Sequence, residues 1–291
     1  MPEKFLFAEV NWSERMSETA ETLLVDMGNQ RLKWRWMHST TDQSGSPEES
    51  DDSDGAIPIK LGDDADQSDF VQRLNEVFTE FAAPARVLLS AVSQQQAVSA
   101  FQDWCWQRWQ VEVESKGAEA AFSGLVNDYD DPAQLGCDRW HAAIAAHRKS
   151  QRSGRSESVV VVDAGTAITV DLVHHNHFVG GAIMPGVSTM IRTLGRDTGR
   201  IRLNQSDGVG NLWQATAKNS DDAVRSGVYF AVCGGVDRCI EAQARFIGKS
   251  PQVFFTGGDA ALVRDGSNFN GRICANLVLD GLALLAGEVG G

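Results

Sequence analysis

The chain is short of several things. It has two tyrosines and seven prolines among 291 residues. Its five cysteines, Cys105, Cys137, Cys233, Cys239 and Cys274, are odd in number and scattered, with no Cys-x-x-Cys pair. That pattern argues against a disulfide framework or a thiolate zinc site and reads as free thiols in a reducing cytoplasm. No run approaches the ~18 apolar residues that a membrane-crossing helix needs. The polar first twenty residues have no apolar signal core, so they read as a dispensable extension with Met16 as a candidate start. Positive charge is also scarce: 26 Lys and Arg against 39 Asp and Glu give a net charge of −13. Neither nucleic acid nor an anionic membrane is then expected as a main partner.

What is present is a chain with 42% hydrophobic residues, long enough for two domains with a core each. Its central stretch is Val159 to Asp171. Four consecutive valines have the composition of a strand buried on both faces. They run into Asp163-Ala164-Gly165-Thr166, after which Ala167 to Val173 resumes a strand pattern. A glycine there lets backbone N–H groups approach an anion, and the hydroxyl can donate to a phosphate oxygen. The acid can hold a cation that bridges to the same phosphates. Leu23 to Trp34 repeats the layout: an apolar strand, then Asp26-Met27-Gly28-Asn29, then a second strand. Two copies suggest two similar lobes whose turns serve one nucleotide; two unrelated hairpins are the plainer alternative.

In order, Thr22 to Trp36 reads as a hairpin, Ser39 to Asp54 as an exposed acidic loop and Ala56 to Leu61 as a strand. Asp69 to Phe81 has a helical period, with Ser68 as its N-cap. Arg86 to Val92 reads as a strand, Ser93 to Trp109 as a helix and Leu135 to His147 as another. The polar segment Gln151 to Glu157 is the expected division, giving lobes of 21–155 and 156–291 after the extension 1–20. The second lobe repeats strands and helices and closes on an apolar helix, Asn276 to Ala286. The fold class expected is α/β, with two related lobes and a cleft between them.

Gly136-Cys137-Asp138-Arg139 opens the helix at the end of the first half. A carboxylate at a helix's positive end stays ionised and can accept a proton from a substrate hydroxyl, and Arg139 suits an anionic group. The plain alternative is a dipole-countering acid beside a solvated arginine. Gly180-Gly181 to Pro185-Gly186 reads as a glycine-flanked turn or a strand-to-helix connection. Thr256-Gly257-Gly258 could let a base or ribose approach, or be only structural.

The set in this order, Asp26-x-Gly28-Asn29, Gly136-x-Asp138-Arg139-Trp140, Asp163-x-Gly165-Thr166-Ala167-x-Thr169-x-Asp171, Gly180-Gly181-x-Ile183-x-Pro185-Gly186 and Thr256-Gly257-Gly258-Asp259, resembles type III pantothenate kinases over about residues 22 to 286. Their superfamily includes acetate and sugar kinases, actin and heat-shock chaperones. The resemblance implies two lobes of actin-like ATPase (ribonuclease H-like) type with a nucleotide cleft. It implies ATP-dependent phosphorylation of pantothenate, Mg²⁺, a monovalent cation (K⁺ or NH₄⁺) and a homodimer. By the same resemblance, ATP contacts fall on Asp26, Met27, Gly28, Asn29, Gln30, Arg31, Leu32, Lys33 and Thr166. Asp26 lies near Mg²⁺ and Asp163 holds the monovalent cation. Asp138 is the general base. Tyr129, Gly136, Cys137, Asp138, Arg139 and Ser220 bind the acceptor, Ser220 reaching the partner subunit's.

Three departures stand out. Gln30 replaces the family's Thr or Ser, Ser220 replaces Thr, and the acidic insertion at 39–54 is longer than the fold needs. The rival of another class is a non-catalytic transcription accessory factor of the same family, which would release no ADP.

Overall fold

The computed structural model describes residues 20–38, 54–59, 67–154, 157–197 and 214–288. The extension expected at 1–20 and the acidic loop expected at 39–54 lie outside them, apart from Ala20 and Asp54. The backbone forms two compact units. Among the described residues, one comprises those up to Leu89 together with Ser93–Ser115; the other comprises Ser90–Val92 and those from Lys116 onward.

The first unit holds strands β1 (Ala20–Met27), β2 (Arg31–His38) and β3 (Asp54–Pro58), helix α1 (Ser68–Phe78), β4 (Arg86–Ala91, whose last two residues fall in the second unit), helix α2 (Gln95–Trp109) and β5 (Val113–Ser115). Its sheet runs β3-β2-β1-β4-β5. Alternation along β2 sends Leu32, Trp34 and Trp36 inward, as a pleated strand with one buried face requires. Trp34 and Trp36 meet Phe78 of α1 edge-on at 5.1 and 6.4 Å. Trp104 and Trp109 of α2 meet each other at 4.7 Å. All four tryptophans are buried in the core of this unit. Gln67, not Ser68, holds the cap position of α1, and no side chain caps it. Ser68 is the first helical residue instead.

The second unit holds β6 (Ala121–Phe122), β7 (Leu125–Asn127), α3 (Cys137–Ser153), β8 (Ser158–Ala164), β9 (Ala167–His174), β10 (His177–Pro185), α4 (Val187–Asp197), α5 (Ser220–Ile247), β11 (Gln252–Thr256), α6 (Ala260–Gly266), β12 (Gly271–Ile273) and α7 (Leu277–Glu288). Its sheet runs β12-β11-β8-β9-β10-β7-β6. Read in the opposite direction from β10, the order β10-β9-β8-β11-β12 repeats the β3-β2-β1-β4-β5 of the first unit. The internal duplication is therefore one of topology, beyond two similar turns.

The four valines of β8 face both ways. Val159 and Val161 join the core with α3 and α7, while Val160 and Val162 join the core with α5 and α6. Full burial of each Val is worth roughly 1.5–3 kcal/mol, so this strand pins both layers to the sheet. The apolar face of α3 (Trp140, Ala143, Ile144, Ala146) packs in the same core as Leu277, Val278 and Leu285 of α7. The units accordingly divide after Ser115 and not at 151–157, because α3, placed in the first lobe by sequence, buries its face in the second.

The start of α3 is also tied by buried polar groups. The His141 ring nitrogen Nδ1 and Ser90 Oγ lie 2.9 Å apart. Ser90 Oγ donates to Cys137 Sγ at 3.4 Å, and Cys137 Sγ donates to the Ala91 carbonyl at 3.3 Å. His141 and Ser90 are fully buried. Burial pushes the His141 imidazole down to about 4 from its ordinary 6.5. Between those values the unfolded chain holds a proton that the folded chain refuses, so stability falls as the pH falls through that window. His141 is expected to account for about 3 kcal/mol of lost unfolding free energy between pH 7 and pH 4. Urea denaturation at both pH values should show His141→Asn losing that much less than the wild-type chain. Equal losses in the two proteins would contradict a neutral buried His141.

Candidate active site

The first turn of α3 brings together most of the polar residues singled out in Gly136 to Arg139. Gly136 is the N-cap, with extended ψ, and Asp138 falls in the first turn. Asp138 Oδ1 accepts the Arg139 backbone N–H at 2.8 Å, so the helix terminus holds the carboxylate in place. The dipole favours the charged form, but burial outweighs it and raises the Asp138 pKa above its ordinary 3.8; the Arg139 N–H and guanidinium oppose the rise. A carboxylate shifted upward is a stronger base than a free one.

Arg139 turns the other way, into the protein. Its Nε donates to Asp171 Oδ2 at 3.0 Å and to Oδ1 at 3.2 Å, and its Nη2 also donates to Oδ1. Nη1 donates to the Tyr129 hydroxyl at 2.9 Å. The guanidinium carbon sits 5.7 Å from the Tyr129 ring centroid and 5.8 Å from that of Phe178. Arg139 is 8% exposed and Asp171 1%. Burial alone would lower the arginine's pKa, but the hydrogen bonds and charge of Asp171, with Tyr129, raise it, so Arg139 stays protonated. Removing either partner of such a pair leaves an uncompensated buried charge and costs about 3–5 kcal/mol. The guanidinium that sequence offered to an anionic substrate is thus already engaged on three of its nitrogens.

Tyr129 is presented by the loop after β7. Asn127 Oδ1 accepts the Tyr129 N–H at 3.1 Å, and its Nδ2 donates to the carbonyls of Glu119 at 3.2 Å and Pro132 at 3.3 Å. The Asp128 N–H donates to the Phe178 carbonyl at 3.1 Å. The Asn-x-Tyr spacing is therefore a turn-forming asparagine and the side chain it aims.

A second cluster forms at the end of β8, where three turns close on one another. The Gly165 N–H donates to the Ala167 carbonyl at 3.0 Å, Gly186 N–H to the Thr166 carbonyl at 2.9 Å, and Asp259 N–H to the Ala164 carbonyl at 2.9 Å. Thr189 Oγ1 also donates to the Thr166 carbonyl, at 2.8 Å. Gly186 joins β10 to α4, and any side chain there would collide with the Gly165 carbonyl. Gly257 has φ +92° and abuts both the Ala164 carbonyl and Asp163 Oδ1. The glycine-rich segments that looked like separate turns are one assembly around Asp163–Thr166. Gly180 and Gly181, in contrast, lie inside strand β10 and form no turn.

Asp26 to Lys33 lies in the first unit, across the end of β1 and the start of β2. Asp26 pairs in register with Lys33, and Met27 with Leu32. The turn closes through Gly28 N–H to the Arg31 carbonyl at 3.0 Å. Asn29, Gln30 and Arg31 are exposed, whereas the side chains of Met27 and Leu32 are core and leave only backbone to a ligand. Ser220 is the exposed first residue of α5, next to the cap Asn219. It lines a cleft of about 670 Å³ with Pro185, Met190, Leu194 and Val224.

No group of three or more His, Cys, Asp or Glu side chains among the described residues could hold a metal ion. His174, His175 and His177 belong instead to the β9–β10 hairpin, where His175 and Asn176 take left-handed φ of 50° and 65°. Asp171 was legible in the sequence only as the last letter of its motif. Its partner Arg139 is 32 residues away, a separation no local pattern reveals.

A family model described as type III pantothenate kinase matches residues 22–242. The Type III pantothenate kinase of Paracidovorax citrulli (strain AAC00-1) is 31% identical over 271 residues, covering 91% of this chain and 98% of its own. That of Thiobacillus denitrificans (strain ATCC 25259 / T1) is 34% identical over 267 residues, covering 91% and 96%. A crystal structure of a conserved Baf family transcriptional activator from Campylobacter jejuni aligns with a TM-score of 0.51 at 16% identity, covering 92% of this chain and 100% of that one, a likeness of fold alone. On the family match and on relatives of this identity and coverage, the chain belongs to the type III pantothenate kinase family of phosphotransferases, with their actin-like two-lobe α/β fold.

Proposed function

We propose that this chain transfers the γ-phosphoryl group of ATP to the 4′-hydroxyl of pantothenate, the first step toward coenzyme A, with Asp138 as general base. The observation that carries the reading is Asp138 itself. It is a carboxylate fixed by its own helix terminus, made more basic by burial, next to a buried Arg139 that holds the half-buried Tyr129. Phosphoryl transfer asks a protein chiefly for positioning and charge neutralisation. The acceptor oxygen forms a bond to the γ-phosphorus, the bond from that phosphorus to the β-phosphate oxygen breaks, and ADP leaves. The hydroxyl proton passes to Asp138.

Gly136, Cys137, Asp138, Arg139 and Tyr129 serve the acceptor, and Ser220 serves the acceptor of the partner subunit. Two turns of like construction serve ATP: Asp26 to Lys33, through Asp26, backbone amides and the exposed Asn29, Gln30 and Arg31, and Thr166 in the second unit. Gln30 keeps an amide donor where the family's hydroxyl stands. The family's need for a divalent metal with ATP we assign to Mg²⁺ near Asp26. One carboxylate suits it, since Mg²⁺ is commonly held by one or two carboxylates plus phosphates. When bound, Mg²⁺ neutralises charge on the transferring phosphate. Asp163 we assign to K⁺ or NH₄⁺; its carboxylate and the carbonyls of the same turn are the oxygen donors hard cations prefer. The α4–α5 cleft with the exposed Ile183, Leu194 and Phe230 is the apolar surface we assign to a homodimer in the cytoplasm.

A coupled assay tests the reading. ADP release should require pantothenate and Mg²⁺ together and run faster with K⁺ than with Na⁺, a difference that Asp163→Asn should shrink. A chain that releases no ADP in any arm would be the non-catalytic alternative. Asp138→Asn should lower kcat by ~10²-fold or more, the size of a lost general base, with ATP affinity by calorimetry nearly unaltered. An unchanged kcat would take Asp138 out of that role.

A further inference from the structure

We infer that Asp171 is a positioning residue for the acceptor. It locks the Arg139 guanidinium so that Arg139 in turn holds the Tyr129 hydroxyl, and Arg139 is a scaffold rather than the receptor for the acceptor's carboxylate. The inference rests on the pantothenate reading and deepens it.

Geometry and charge both lead there. Asp171 takes Nε and Nη2 of Arg139 in the forked manner that fixes a guanidinium's plane, and Nη1 is what remains to meet Tyr129 at 2.9 Å. The planar group lies against the Tyr129 and Phe178 rings, so it is held on its faces as well as its edges. Its charge is balanced by Asp171 at a site almost closed to water, which leaves little net attraction for a substrate anion. Swinging out to meet one would strand Asp171.

The Gly180–Gly181 pair, so far without a role, fits the same device. Gly181 pairs with Asp171 in the β9–β10 register. A side chain at 181 would collide with the Asp171 carboxylate, and Gly180 lies beside the Tyr129 ring. Strand β10 is bare where the carboxylate and the phenol need room.

Asp171→Asn separates the two roles by the sign of its effect. If Asp171 positions Arg139, unmooring the guanidinium should raise the KM for pantothenate about tenfold or more, while the KM for ATP stays within about twofold. If Arg139 is an anion receptor, freeing it from Asp171 should leave the KM for pantothenate unchanged or lower it, and that overturns the inference. Tyr129→Phe keeps the ring in place and guards against an unstable Asp171→Asn chain. It should produce the same selective rise in the pantothenate KM, and an unchanged KM there also overturns the inference. With both changes together, the second should add less than about twofold, since residues acting as a unit are not additive. Fully multiplied effects would mean independent roles. Wild-type turnover in the same assay distinguishes the claims. No turnover with pantothenate removes the kinase reading and this inference with it, whereas turnover with unaltered KM values in the variants removes the inference alone.

Discussion

A guanidinium and a carboxylate, both nearly sealed from water, determine how the second unit presents its chemistry. Arg139 comes from the first turn of α3 and Asp171 from the middle of β9. Their bond therefore fixes where the helix begins relative to the sheet. Asp138 precedes Arg139 in the chain, so the arginine's anchorage is also the anchorage of the proposed base. Tyr129 is drawn to the same guanidinium from a third element, the loop after β7. A buried ion pair adds little to stability when compared with apolar side chains of the same volume. Its value here lies in specificity of placement: one charge cannot shift without exposing the cost of the other.

Around that pair, apolar packing supplies the rigidity. The sheet of the second unit is covered on both faces, by α3 and α7 on one and by α4, α5 and α6 on the other. Each side chain of the valine run thus contributes to one layer or the other. Helix α3 is also secured by Ser90, Cys137 and His141, a chain of buried polar contacts beginning at the end of β4. The turn at Asp163 has a comparable economy. Three glycine-bearing segments distant in sequence close on one set of carbonyls, and the close approach at Gly186 leaves no space for a side chain.

Much of this was legible in the residues. The valine run announced a strand buried on both faces, the repeated Asp-x-Gly turns announced the duplication, and the glycine before Asp138 announced the helix start. The family pattern followed from motifs read in order. Three features were hidden, each for a physical reason. The unit boundary misled because a polar linker at 151–157 looks like a domain junction, whereas α3 spends its apolar face on α7 and β8. Ser68 looked like a cap because caps and first-turn residues share a composition. Arg139 looked free because a positive side chain beside an acid suggests a ligand, and only the fold supplies Asp171 from a strand elsewhere. A pairing between a helix and a distant strand leaves no local periodicity, so a buried carboxylate in an apolar strand is the one sequence sign that a partner must exist.

The central proposal is that the acceptor hydroxyl meets Asp138 while Arg139 keeps its hold on Asp171 and Tyr129. A crystal structure with pantothenate, ADP and Mg²⁺ bound tests it directly. It should show the pantothenate hydroxyl about 2.6–3.2 Å from a carboxylate oxygen of Asp138, with the Arg139–Asp171 and Arg139–Tyr129 bonds intact. A hydroxyl facing another group, or an Arg139 turned away from Asp171 onto the pantothenate carboxylate, would contradict it.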